Sequence, residues 1–80
     1  MLENLKNGNR AVGVKQCLKA LENGAAMTVF IAKDAEEKVV SRLKELCAGN
    51  SIEVVYVDSM KQLGKACGID VGAAAACLLK

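Results

Sequence analysis

Two stretches of the chain, MTVFIAK at 27–33 and IEVVYV at 52–57, are dense in β-branched and aromatic residues and read as strands. A segment of helical period lies between them, and strand, helix, strand in that order form a βαβ crossover, expected to be right-handed. Alternation within both stretches is poor, which predicts strands buried on both faces. Asp34 stands where it can cap the intervening helix, and Glu37, three residues on, would complete a capping box. Val39, Val40, Leu43, Leu46 and Cys47 form the apolar stripe of that helix, and Gly49 and Asn50 close it.

Ser59 with Gln62 makes a second capping box, opening a short helix that carries Met60, Leu63 and Cys67 inward and stops at Gly68. The first long helix differs. In GVKQCLKALENG, residues 13–24, Val14, Cys17, Leu18 and Leu21 recur at helical spacing as a core face, but only Gly13 stands at the N-cap and no carboxylate follows in the first turn. The leading N–H groups therefore lack a side-chain partner, and Lys15 opposes the helix dipole. Residues 2–6 suit a short leading helix and RAV at 10–12 a short first strand. The tail, VGAAAACLLK, fits two descriptions: alanine favours a helix, while a small-residue apolar run also suits a central strand packed by helices on both faces. No linker, repeat or low-complexity tract divides the chain, and 80 residues make one domain, spanning 1–80.

Composition removes several function classes. Histidine is absent, so imidazole catalysis is excluded, and the four cysteines at 17, 47, 67 and 77 form no C-x-x-C pair. Each cysteine falls at an apolar position and reads as a small core residue. Cys67 as a nucleophile has no histidine to serve as its base. No metal set, P-loop or G-x-G-x-x-G occurs, and no cofactor is implied. Glu36 and Glu37 diverge by about 100° on their helix and do not pair for acid–base work. The apolar runs are too short to span a bilayer and no leader h-region is present, so the expected location is the cytoplasm, with reduced thiols.

A net charge of +2 does not declare a polyanionic partner; the distribution is more informative. Lys15, Gln16 and Lys19 share one edge of the first helix, off its core stripe, beside the uncapped N–H groups. This is a suitable site for phosphates, although the same lysines also suit a plain solvated face. Lys61 and Lys65 lie one turn apart on the short third helix, followed by the glycine-led Gly68-Ile69-Asp70 and then Val71. Ile69 and Val71 either pack on an unstacked base or tuck under their own loop. The acids Glu36, Glu37 and Glu45 gather on the second helix, leaving the basic side chains of the first and third helices to form one face. Phe30 and Tyr56 are the sole aromatic residues, too few for a stacking platform.

The stretches GVKQCLKALENG and SMKQLGKACGIDVGAAAACLL resemble the kink-turn RNA-binding family named for the archaeal large-subunit ribosomal protein L-seven-Ae, most closely its small bacterial YbxF-like branch. VFIAKDAEEK and IEVVYVDS fit in order between them, so the likeness covers nearly the whole chain, with LGKACGI its most specific part. The resemblance implies an α/β fold, a three-layer α/β/α sandwich with a mixed four-stranded sheet, and assigns the alanine-rich tail to a strand. It also implies recognition of the kink-turn, an RNA duplex bent at a bulge beside tandem sheared G·A pairs.

The family's G-x-N-E-x-x-K motif maps onto Gly13, Lys15, Gln16 and Lys19. Gln16 in place of glutamate can both accept and donate but loses a charge-assisted bond, and Lys15 in place of asparagine adds phosphate attraction at a cost in base discrimination. The bacterial branch shares this lysine–glutamine pattern. The loop that packs on nucleotides at the kink maps onto Ile69, Asp70 and Val71, with Lys65 beside it, and Glu36 matches an acidic position that holds a flipped-out base. The resulting expectation is a non-enzymatic RNA-binding domain whose partner is structured RNA containing a kink-turn, ribosomal RNA among the candidates. It would be monomeric when free, with no membrane and no small-molecule substrate. The alternative is a protein-interaction or scaffold domain of the same fold without specific RNA binding.

Overall fold

The computed structural model describes residues 9–80, so the helix expected at 2–6 lies outside the described residues. The two β-branched runs form adjacent parallel strands, β2 (Ala26–Ala32) and β3 (Glu53–Val57), joined through helix α2 (Glu37–Gly49). β2 lies one residue earlier than expected, with Lys33 outside the ladder, and β3 begins one residue later, after Ile52. Burial on both faces holds for β2 but not for β3, an edge strand in which only Val57 is buried. Before this unit come β1 (Arg10–Val12) and α1 (Val14–Glu22); after it come α3 (Met60–Ala66) and β4 (Ala75–Leu79).

The alanine-rich tail is a strand, and it is central. The four-stranded sheet has the order β1-β4-β2-β3, with β4 antiparallel to both of its neighbours. Side-chain size accounts for this choice over helix. Ala76 lies beside Phe30 and Ala75 beside Ile31, so the small residues of β4 neighbour two of the largest fully buried side chains. A strand with helices over both faces is buried on both faces, and alanine lets those layers approach closely.

Period-two alternation along β2 and β4 distributes the core between two layers. Val29, Ile31, Ala75 and Cys77 meet Cys17, Ala20 and Leu21 of α1 and Val40, Leu43 and Cys47 of α2 on one face. Phe30, Ala32, Ala76 and Leu78 meet Val57, Leu63 and Cys67 on the other, under α3. The architecture is the expected three-layer α/β/α sandwich. All four cysteines are free and buried. A hydrogen bond with Cys77, reinforced by burial, pushes the Cys17 thiol far above its usual range, while the same bond lowers Cys77; burial raises Cys47 and Cys67.

Three local expectations are corrected. Asp34 does not cap α2: the N-cap is Glu36, no side chain caps that helix, and the Asp34 Oδ1 accepts instead from the Met60 N–H at 2.8 Å. The chain needs two more residues of turn after β2 before α2 begins, which carries Asp34 away from its own helix and toward α3. Val39 is 46% exposed, because Val40, Leu43 and Cys47 already fill the contact with the sheet and Val39 sits about 100° from that line. Met60 is also exposed: it opens α3, and its backbone serves the loop before β4 through the Ala73 N–H, which donates to its carbonyl at 3.0 Å. Of the second capping box the Ser59 half forms, its Oγ accepting from the Gln62 N–H at 3.1 Å, while the Gln62 side chain makes no return bond.

Candidate nucleic-acid interface

Strand direction gathers the candidate residues at one end of the sheet. Since β1 and β2 both run antiparallel to β4 and β2 runs parallel to β3, the ends of β1, β2 and β3 coincide with the start of β4. Each of these three strands leads into a helix, so three helix N-termini and the loop before β4 converge there. The backbone ties them together. The Gly13 N–H donates to Ala75 O at 2.8 Å, Ala32 N–H to Ala74 O at 3.0 Å, and Lys33 N–H to Val57 O at 2.7 Å. The region beyond the carboxyl ends of strands is where open α/β sheets commonly place a ligand.

Helix α1 presents an open start. Gly13 has φ 104° and ψ 151°, a conformation essentially reserved for glycine, and it carries no side chain to cap the helix. No acid stands in the first turn, and Lys15 and Gln16 are both exposed there, with exposed Lys19 one turn beyond. The other two helix starts are offset by carboxylates or hydroxyls: Glu36 and Glu37 at α2, Ser59 and the incoming Asp34 at α3. Among the described residues only α1 combines a start without a side-chain cap bond with a first turn that holds a lysine and no acid, a combination that favours anions. Lys15, Gln16 and Lys19 line a shallow cavity of about 250 Å³ with Leu18 and Glu22.

The loop before β4 supplies a second surface. Lys61, Lys65, Ile69, Asp70, Val71 and Gly72 surround a cavity of about 210 Å³. The two readings of Ile69 and Val71 divide between the residues: Ile69 packs against the core under α3, whereas Val71 is 69% exposed, the most exposed large apolar side chain among the described residues. Asp70 is exposed beside it.

The lysines of α1 and α3 do not form one face, as the charge distribution suggested. These helices lie on opposite sides of the sheet, so Lys15 and Lys19 are separated by the sheet layer from Lys61 and Lys65. What unites the two groups is the sheet end at which both helices start. Glu36 belongs to the same end, exposed at the N-cap of α2, and Glu37 pairs with Lys44 at 2.8 Å. That carboxylate raises the Lys44 pKa, and the same ammonium lies 5.7 Å from the Tyr56 ring centroid. Phe30 is fully buried, so it offers no stacking surface.

Sequence reasoning missed two contacts at this end and one residue of the α1 cavity, Glu22, which stands at the far end of that helix. Of the two contacts, Asp34 crosses to α3, and Lys33 pairs with Asp58 at 3.3 Å. The last was accessible from the sequence: parallel strands in register place Ala32 beside Val57, so the residues that follow each strand emerge side by side. Among the described residues no group of three His, Cys, Asp or Glu side chains is placed to hold a metal, and no helix is long and apolar enough to cross a membrane.

Comparison with known proteins gives a consistent picture. A bacterial protein of Caldanaerobacter subterraneus subsp. tengcongensis, RNA-binding protein TTE2299, is 58% identical over 67 residues, covering 84% of this chain and 82% of its own. RNA-binding protein YbxF of Geobacillus stearothermophilus is 41% identical over 76 residues, covering 95% of this chain and 93% of its own. Among solved structures, the 15.5 kD RNA-binding protein of Giardia lamblia superposes with a TM-score of 0.91 at 30% identity, over 99% of this chain and 70% of that one. The sequence profile of one family matches residues 2–80, and with this sandwich and these relatives the chain belongs to the ribosomal protein L7Ae/L30e/S12e/Gadd45 family, within its bacterial YbxF-like branch.

Proposed function

We propose that this chain is a single-domain, non-enzymatic RNA-binding protein that recognises and stabilises a kink-turn. The observation that carries the reading is the convergence, at one sheet end, of an uncapped, acid-free helix start bearing Lys15, Gln16 and Lys19 with a loop that exposes Val71. An A-form major groove is too deep and narrow to admit a helix, but a sharp bend with sheared pairs opens it locally. In that opening the α1 amides and Lys15 position phosphates, while Gln16 and Lys19 reach base edges. Val71, with Ile69 behind it, packs on a nucleotide at the kink; Asp70 and Lys65 border that contact, and Glu36 holds a displaced base. The names of the relatives support RNA as the partner, and the family's ribosomal members make ribosomal RNA a candidate target.

The test compares a kink-turn RNA with an unbroken duplex of equal length. Preferential binding of the kinked RNA is expected, and Lys19→Ala should weaken it about tenfold or more, the loss of one hydrogen bond to a charged group. The salt dependence should become shallower by just under one unit of slope if Lys19 also neutralises a phosphate. Equal affinity for the two RNAs would refute kink-turn recognition and favour a scaffold domain of this fold.

A further inference from the structure

Glycine in a helix interior is destabilising relative to alanine, yet the seven-residue α3 carries Gly64 one residue past its centre, buried. The geometry around it accounts for the absence of a side chain. A Cβ at this position would overlap the carbonyl oxygen of Val71 and stand 3.0 Å from its carbonyl carbon and 3.1 Å from the Cα of Gly72. All three are backbone atoms, which cannot swing aside as the tip of a flexible side chain can. The loop is also fastened on both sides of this contact: the Ile69 N–H donates to Gly64 O at 3.1 Å, and the Ala73 N–H donates to Met60 O at 3.0 Å. Gly72 makes a similar close approach, since a Cβ there would lie 3.1 Å from the Met60 Cβ. With the backbone of 71–72 pressed on α3, the Val71 side chain is left facing solvent, 69% exposed.

We propose that Gly64 is a positioning residue for RNA recognition: it lets the loop lie flush on α3 and thereby sets where Val71 stands relative to the α1 tip. Gly64 is buried and does not itself meet RNA; it acts through Val71. The inference rests on the kink-turn reading and adds to it the device that sets the height of the loop. An added methyl lifts 71–72 off the helix, and Val71 then misses the nucleotide that the wild-type loop meets.

The experiment is a double-mutant cycle on the full chain with kink-turn RNA, using Gly64→Ala, Val71→Ala and the pair, each confirmed folded by circular dichroism. Gly64→Ala is expected to weaken binding about fivefold or more and to move the amide NMR signals of 69–73. In the Val71→Ala background the same change should cost little, because the contact it disturbs is already gone. Binding by Gly64→Ala within twofold of wild type, or losses that simply multiply in the pair, overturns the proposal while leaving kink-turn recognition standing. Failure of the wild-type protein to prefer the kinked RNA overturns both. If Gly64→Ala does not fold, Gly72→Ala, whose Cβ meets Met60 less severely, takes its place in the cycle, and the same losses support or overturn the proposal.

Discussion

Replacing Asp34 by alanine tests the most informative departure of the structure from the sequence pattern. The Asp34 carboxylate accepts from the N–H of Met60, the first residue of α3, at 2.8 Å, across 26 positions of sequence. It therefore serves as an N-terminal cap supplied from another element, with its charge at the favourable end of the α3 dipole. Removing such a cap costs about 1 kcal/mol, and exposure of the carboxylate places the effect nearer the lower end of the usual range. For a domain of this size an effect of about 0.5–1 kcal/mol corresponds to a fall of roughly 2–8 °C in Tm, readable by thermal circular dichroism. Asp34→Asn keeps an acceptor oxygen and should lose less than half as much. Hydrogen exchange locates the effect: the Met60 amide should exchange faster in Asp34→Ala, while the amides of Glu37 and Lys38 stay unchanged. An effect at α2 with none at Met60 would show that Asp34 caps its own helix and refute the cross-element assignment. Unchanged Tm together with unchanged Met60 exchange would refute it equally.

Two further outcomes follow from the backbone and the buried thiols. Gly13→Ala should destabilise the protein by about 1–3 kcal/mol, measured by urea denaturation, because nothing lies within 4 Å of the added Cβ and the whole cost is that of holding φ at 104°; stability within a few tenths of wild type would contradict that backbone conformation. Three thiols, Cys17, Cys47 and Cys67, are raised in the folded state and one, Cys77, is lowered by its bond with Cys17, so on balance the unfolded chain releases protons first as pH climbs past about 9. Stability contributed by the protonated thiols is thus complete below that range and declines above it, and the urea midpoint should fall between pH 8 and pH 10. The same burial predicts that the native protein does not react with a thiol reagent at pH 8 while the urea-unfolded chain reacts at all four cysteines; rapid reaction of the native protein would contradict their placement in the core.

Much of the candidate site was legible because it rests on local pattern. The α1 stripe of Cys17 and Leu21, the glycine N-cap and the acid-free first turn are properties of a dozen consecutive residues, and the helix forms as they predict. Ser59 caps α3 for the same reason. The failures have a common source. Asp34 offered a sound capping box, but a tertiary partner, the Met60 N–H, captured the carboxylate first. Val39 and Met60 matched an apolar period, yet the breadth of a buried stripe depends on how much sheet lies under the helix, which period does not report. The α1 and α3 lysines looked like one face because helix surfaces were compared without knowing which side of the sheet each helix covers.

Local sequence by itself determined the elements: β-branched runs that form strands, an amphipathic stripe between them, and a helix start with a glycine N-cap and no acid in its first turn. That β3 is a half-exposed edge strand and that Gly13 needs a positive φ were decided by the tertiary structure. Propensity alone left the tail undecided between helix and strand, and the family resemblance, not periodicity, pointed to the strand. Tertiary structure then supplied the physical reason and the placement. The space between two helix layers beside Phe30 and Ile31 admits only small side chains, and that space, together with the ladder bonds of two neighbouring strands, makes 75–79 the central antiparallel strand. Inserting that strand antiparallel places its start at the ends of β1, β2 and β3. The exposed Val71 and the open tip of α1, 57 residues apart from Val14 to Val71, meet at one end of the molecule for that reason.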